Sequence, residues 1–362
     1  MKLISVDKLI PGMVVSENVY TLDDTLVVPK DTILSQKDID RIRSYSLYNI
    51  FVEEEMKFEE VKEEPEIDLS SMSYAEKIKN SQEFIKFKEH IEENSEELEE
   101  SFHLLANDAI PLDVDKLTEP VYKLFVEAGG TAGIFDMLHN LRDNSDAVYM
   151  HSLNVSLICN TLATWMRLPE EKIHIATAAG LLHDIGKMLV PSELLNKTTP
   201  LTEYEQRAMD QHVTKGYGLV KKKDIDVHIK NSILMHHEMR DGSGFPFHLK
   251  GEQIDEIASI VTIANVYDNM TCKRPYRGPI CPFEVLAKFE EDGLYKYDTN
   301  AIMTFMGNIV NTFIANRVML NSGQTGEIIF INPEHISKPV VKCGDNFIDL
   351  SKKRALSIVA VI

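Results

Sequence analysis

The chain has 362 residues, 44% of them apolar, and a formal net charge of −19. That length exceeds one ordinary domain, and the apolar share is that of a globular protein rather than a disordered one. Such an acidic surface argues against general nucleic-acid binding and against docking on anionic lipid, while four scattered cysteines without a CxxC pair argue against a disulfide framework or a thiolate zinc site. No apolar run approaches the length that crosses a bilayer, so the expectation is a soluble, cytoplasmic protein.

Residues 1–54 hold short alternating runs such as "NVYTLDDTLVV" and "YNIFV", with turn signals at Pro11-Gly12 and Asp23-Asp24. They predict a small strand-rich domain with one helix near "SQKDIDRIRSY". The stretch "EEEMKFEEVKEEPEIDLSS" is dense in acids and interrupted by Pro65, which reads as a solvated linker. From 74 to 106 the spacing is helical and strongly charged; this segment either connects two domains or dimerises, and it completes a linker-and-helix region over 55–113. From 114 to 320 nearly every run carries apolar residues at three- and four-residue intervals, as in "VSLICNTLATWMRL" and "EIASIVTIANVYDNMT". Pro169, Pro191, Pro200 and Gly216 are expected to fall between helices. The fold expected is mainly α, an all-α bundle, with a C-terminal β extension over 321–362. That extension either caps the bundle or pairs with the N-terminal domain.

Twelve histidines are present, and five have purposeful settings: His151, His183, His212, His236 and His237. Singly, each is more often a hydrogen-bonded core residue than a ligand. The pair at 236–237 is a stronger signal, because successive side chains on a helix diverge by about 100° and cannot share one packing face. Asp184 follows His183 directly, and Asp268 lies in an otherwise apolar run, where a carboxylate is costly unless paired or metal-bound. Five imidazoles and two carboxylates from five helical segments exceed one tetrahedral zinc. They suit two divalent ions, iron first and manganese next, held inside a bundle. Positive charge of that kind is also the most compact way for so acidic a chain to meet an anionic substrate.

The motifs "HS" at 151–152, "LLHDIGK" at 181–187, "HHEMRDGSGFPFHLKGEQI" at 236–254 and "RPYR" at 274–277 resemble the HD-GYP family, a branch of the HD-domain phosphohydrolases. The likeness covers about 140–315. It implies an HD-type helical bundle, a centre of two or three ions, and hydrolysis of cyclic di-GMP to pGpG or GMP by a hydroxide held between metals. Carried onto this chain, the ligands are His151, His183, Asp184, His212, His236, His237 and Asp268. Asp184 bridges, with His151, His183 and Asp268 on one ion and the remaining three histidines on the other. Lys187, four residues after His183, is expected to contact phosphate. Asp241, Gly242 and Gly244 would lie close to substrate, and Arg274, Tyr276 and Arg277 would grip phosphate or a guanine edge.

Two departures from the family stand out. Phe245 replaces the tyrosine of the GYP motif, so the ring stays and the hydroxyl goes. Ala147 stands where some relatives place a glutamate for a third ion, which predicts two ions. The competing readings are a catalytically weak cyclic di-GMP sensor or adaptor, with a homodimer or signalling partner at the charged helix, and an HD phosphohydrolase for another nucleotide.

Overall fold

The computed structural model describes residues 2–10, 12–20, 26–34, 38–39, 42, 47, 49–53, 74–107, 109–141, 148–273 and 277–362. The expected acidic linker, most of the expected helix at 35–45, Ala147, Arg274 and Tyr276 lie outside the described residues. The chain divides into two compact units, Met1–Asp68 and Leu69–Ile362. The boundaries expected near 113 and 320 both fall inside the second unit.

In the first unit β1 (Lys2–Ser5) pairs antiparallel with β4 (Asn49–Val52), and β2 (Val19–Tyr20) with β3 (Leu26–Val28). Its own small core gathers Val6, Val15, Val28, Leu34, Ile39 and Ile50. Alternation along β4 explains the fold: Ile50 and Val52 are buried while Asn49 and Phe51 face outward.

The second unit is built around α5 (Val148–Trp165). Every residue from Tyr149 through Ala163 is buried, as befits a helix apolar all round and enclosed by others. Before it come α1 (Tyr74–Lys79), α2 (Gln82–Ala106), α3 (Val114–Glu127) and α4 (Ile134–Leu141). After it come α6 (Glu170–Leu182), α7 (Ser192–Leu195), α8 (Glu203–Asp210), α9 (His212–Val220), α10 (Val227–Met235) and α11 (Glu256–Thr271). The 25-residue α2 buries Phe84, Phe87, Ile91, Leu98, Phe102 and Leu105 in the same core as α5. Its apolar stripe is therefore used within the chain.

Glycines set how closely the helices approach. A Cβ on Gly180 of α6 would come 2.9 Å from the Cα of Ser156 on α5. A Cβ on Gly186 would sit 1.9 Å from the carbonyl oxygen of His212. Gly216, expected between helices, lies inside α9 and faces Gly186 there, with a built Cβ 3.0 Å from the Gly186 nitrogen.

Beyond α12 (Pro282–Lys296) and α13 (Thr299–Ile309) the chain forms β5 (Arg317–Leu320), β6 (Thr325–Asn332), β7 (His335–Cys343), β8 (Asn346–Asp349) and β9 (Ile358–Val361). These make one antiparallel sheet in the order β8-β7-β6-β5-β9. The strands pair with one another among the described residues. Val318, Ile328, Val341 and Ile358 join the bundle's core from one sheet face, and Glu290 of α12 accepts hydrogen bonds from the nitrogen and hydroxyl of Ser337.

Candidate metal centre

Most of the singled-out histidines stand where a helix stops, and that is what aims them. His183 is the residue after α6, and its Nδ1 meets the Gly180 carbonyl at 2.7 Å. His236 follows α10, with Nδ1 3.1 Å from the Ser232 carbonyl and 3.2 Å from that of Ile233. His212 opens α9, and its Nδ1 meets the Met209 carbonyl of α8 at 2.8 Å. A helix end leaves carbonyls without intrahelical partners. An imidazole that donates Nδ1–H to one of them keeps its Nε2 lone pair free and oriented. His151, buried within α5, is aimed differently: its Nδ1 lies 2.6 Å from Asp268 Oδ2 on α11.

The Nε2 atoms converge on Asp184. His151 Nε2 is 3.3 Å from His183 Nε2, and these lie 3.5 Å and 3.3 Å from Asp184 Oδ2. On the other side His212 Nε2 is 3.3 Å from His236 Nε2, with distances of 3.2 Å and 3.7 Å to Asp184 Oδ1. His237 completes this second group, its ring centroid 4.2 Å from that of His236. Two clusters result, His151–His183–Asp184 and His212–His236–His237, and in each the ligand atoms lie within 4.8 Å of one another.

These residues fit divalent ions, for reasons visible in the protein alone. Asp184 Oδ1 is buried and, among the described residues, makes no hydrogen bond, an expensive state for a carboxylate oxygen. The Nε2 atoms of His212 and His236 face one another at hydrogen-bond distance while both Nδ1 atoms are engaged with carbonyls. Facing lone pairs call for a cation between them. Burial, then the neighbouring imidazoles His237 and His183, hold His236 well below the usual histidine range; burial, then His212, does the same for His237. Both are thus neutral, the form that ligates. Burial alone would raise the Asp184 carboxyl, but the Lys187 ammonium and His183 pull it well below the usual carboxylate range.

The structure places several expected residues differently. Asp268 lies outside both clusters. It stands behind His151, its other oxygen accepting from Asn154 Nδ2 at 3.1 Å and from the Cys272 thiol at 3.1 Å. Lys187 is not one α-helical turn beyond His183, because α6 has ended and Ile185–Leu189 is a 3₁₀ helix. Its ammonium reaches Asp184 Oδ2 at 2.5 Å instead. Asp241 is exposed and bonds the nitrogen and hydroxyl of its own loop's Ser243 at 2.9 Å and 2.6 Å. Gly242 has φ +85, a turn conformation, and a Cβ on Gly244 would come 2.4 Å from the carbonyl oxygen of His237. These three residues shape the loop after the histidine pair. Arg277 donates to the Asn269 carbonyl at 2.6 Å.

Three supporting residues escape sequence reasoning. Asn265 Oδ1 is 3.0 Å from His151 Nε2, and the signal for it was its place three residues before Asp268, on the same helix face. Asn154 follows His151 by the same interval on α5 and backs Asp268. Glu238, directly after the histidine pair, is buried, and its carboxylate accepts from the nitrogens of Phe247 and Leu249 at 2.6 Å and 2.9 Å, tying the loop down.

Above the clusters lies a cleft of about 580 Å³, lined by His151, Lys187, His212, His237, Phe245 and Asn269 on the metal side. Phe245 stacks on His237 with centroids 4.5 Å apart and planes at 17°, so its ring packs flat against that imidazole. The far wall comes from residues 194–210. Thr202 and Glu205 form a capping box at the start of α8. Lys197, then the Thr202 backbone, hold the Glu205 carboxyl down at about 2.

Residues 137–301 match the family model described as HD domain. The chain is 32% identical over 206 residues to the cyclic di-GMP phosphodiesterase PA4108 of Pseudomonas aeruginosa, covering 57% of this chain and 50% of that protein. It is 36% identical over 138 residues to the cyclic di-GMP phosphodiesterase response regulator RpfG of Xanthomonas campestris pv. campestris, covering 38% and 36%. It is 34% identical over 147 residues to the 3'3'-cGAMP-specific phosphodiesterase 1 of Vibrio cholerae, covering 39% and 33%. The chain thus spans half or less of the length of these curated relatives. No helix among the described residues is long and apolar enough to cross a membrane.

Proposed function

We propose that the protein is a metal-dependent phosphodiesterase that hydrolyses cyclic di-GMP to pGpG or GMP, a reading that starts from the match of residues 137–301 to the HD-domain family model. One observation carries the reading: two clusters of candidate ligands face the two oxygens of Asp184, and three of their histidines, His151, His212 and His237, line a cleft of about 580 Å³. The relatives' names support the substrate class, cyclic di-GMP for two and 3'3'-cGAMP for the third.

In this reading His151, His183 and one oxygen of Asp184 would hold one ion, and His212, His236, His237 and the other oxygen would hold the second. Imidazole-rich sites suit iron or manganese better than magnesium or calcium, which prefer oxygen. When bound, the ions would supply Lewis acidity and make hydroxide available near neutral pH by lowering the pKa of water to about 7. The carbonyl-anchored imidazoles hold their ring planes fixed. Asp268 keeps His151 in one tautomer by taking its Nδ1 proton in a hydrogen bond. Lys187 stands at the cleft floor, where its ammonium binds a phosphate oxygen and stabilises the negative charge that builds there. No side-chain nucleophile is needed.

The test is turnover of cyclic di-GMP by iron- or manganese-loaded protein beside Asp184→Ala. Hydrolysis is expected from the unaltered protein, and loss of both metal and turnover from the variant. Tight binding without hydrolysis under either metal would make the protein a sensor. Neither binding nor hydrolysis would remove cyclic di-GMP as its ligand.

A further inference from the structure

The cleft has two chemically unlike walls. The metal side carries imidazoles and the Lys187 ammonium. The rest of the lining is apolar at Leu194, Leu195, Leu201 and Met209; it also holds Lys197, whose ammonium is paired with Glu205 at 2.6 Å, and a carboxylate, Asp210. Phosphate belongs on the first wall. A carboxylate on the second repels any anionic substrate unless it faces hydrogen-bond donors, and in a chain already at −19 it adds nothing to solubility.

Asp210 is held for such a task. It is half-buried, and Gln206, one turn earlier on α8, donates from Nε2 to its Oδ1 at 2.7 Å. A carboxylate offers about four lone-pair sites, so Oδ2 and one site on Oδ1 remain. Asp210 precedes His212 by two residues, placing their Cα atoms at most about 7 Å apart. That puts the carboxylate within a nucleotide's reach of the metal floor.

Among purine edges one fits. Guanine presents its N1–H and exocyclic N2–H side by side, two parallel donors for two oxygens, the same bidentate geometry by which carboxylates accept from guanidinium. Adenine places an acceptor, N1, beside its N6 amino donor and would set a lone pair against the carboxylate. The apolar residues before Asp210 offer the face on which such a ring lies flat.

We infer that Asp210 reads the Watson–Crick edge of one guanine of the substrate and sets the preference for guanine over adenine; this rests on the cyclic-dinucleotide reading above. Such recognition is strongly selective, because an analogue lacking the donor leaves the site's polar group unpaired.

The experiment measures KM and kcat of the metal-loaded full chain, and of Asp210→Asn, on cyclic dinucleotides bearing guanine, hypoxanthine or adenine. Hypoxanthine lacks only the 2-amino donor. For the unaltered protein KM should rise about tenfold or more from guanine to hypoxanthine, and further for adenine, with kcat within about threefold. Asp210→Asn should abolish the guanine–hypoxanthine difference and move the preference toward adenine, whose N1 and N6 edge an amide matches. Its metal content should stay the same. A merely structural Asp210 would change all three substrates alike. Equal KM for guanine and hypoxanthine in the unaltered protein overturns the inference. So does a variant that keeps the original preference. If the unaltered protein neither binds nor cleaves any of the three, the phosphodiesterase reading falls first and this falls with it.

Discussion

Asp184 is the residue on which both halves of the candidate centre depend, since each of its oxygens faces a different pair of imidazole nitrogens. Lys187 touches one of those oxygens, so its two possible duties can be separated. If it serves the phosphate, Lys187→Met leaves bound metal unchanged and lowers kcat about a hundredfold, the size seen when one stabilising donor is removed. If it serves mainly to fix the carboxylate, metal content falls with activity, and elemental analysis beside a rate assay decides. The histidines and Asp184 were legible in the sequence, because imidazole and carboxylate in apolar helical runs are chemically conspicuous. Their aim was not. It depends on which carbonyls a helix end leaves over, and the end of α6 at Leu182 followed by a 3₁₀ turn gives no periodic signal. For the same reason the sequence does not show that Lys187 projects from a 3₁₀ turn rather than from a continuous α-helix.

Helix spacing within the site is set by glycines at crossings, and here the expected outcomes diverge along α9 itself. At Gly186, facing α9, an added Cβ would overlap backbone at the His212 carbonyl and come 2.6 Å from the Gly216 nitrogen. Backbone cannot give way as a flexible side chain can, so Gly186→Ala should cost about 1–3 kcal/mol or more and push His212 away from Asp184. Gly218, two residues beyond Gly216, has nothing within 4 Å of a built Cβ. Gly218→Ala should therefore stabilise by about 0.5–1 kcal/mol, the ordinary gain for alanine inside a helix. Denaturant midpoints of the two variants check the signs, and equal effects would show that the crossing is not tight. The helices themselves were readable from three- and four-residue periodicity, since burial imposes it directly. Gly216 was misread as a break, because a glycine needed for close approach and one needed for a turn look alike in sequence. In the same way the stripe on α2 announced a buried face without saying against what; α5 and the 185–189 turn proved to be its partners within the chain.

At the scale of the whole molecule the two units keep separate cores, one around Val15, Leu34 and Ile50 and the other running from α2 through the C-terminal sheet. Only the second contains the histidine clusters. Ions that bind the folded state alone stabilise it by mass action, about 4 kcal/mol at a thousand times the dissociation constant. Unfolding entropy is about 2.1 cal/mol/K per residue, and the larger unit, Leu69–Ile362, has nearly 300 residues; each kcal/mol then moves its midpoint by about 1.6 °C, so a chelator should lower its transition by about 6–7 °C for each ion removed. The smaller unit holds no cluster among its described residues, and its transition should not move. Differential scanning calorimetry of the full chain, with and without chelator, reads both at once. The histidine variants sharpen it: in His237→Ala the larger unit should already melt near the chelated value and respond little to further chelation. Transitions that shift together would mean that metal is held by something common to both units. A larger unit indifferent to chelation would mean that its imidazoles are satisfied by one another, and the pairing of clusters across Asp184 would lose its chemical meaning.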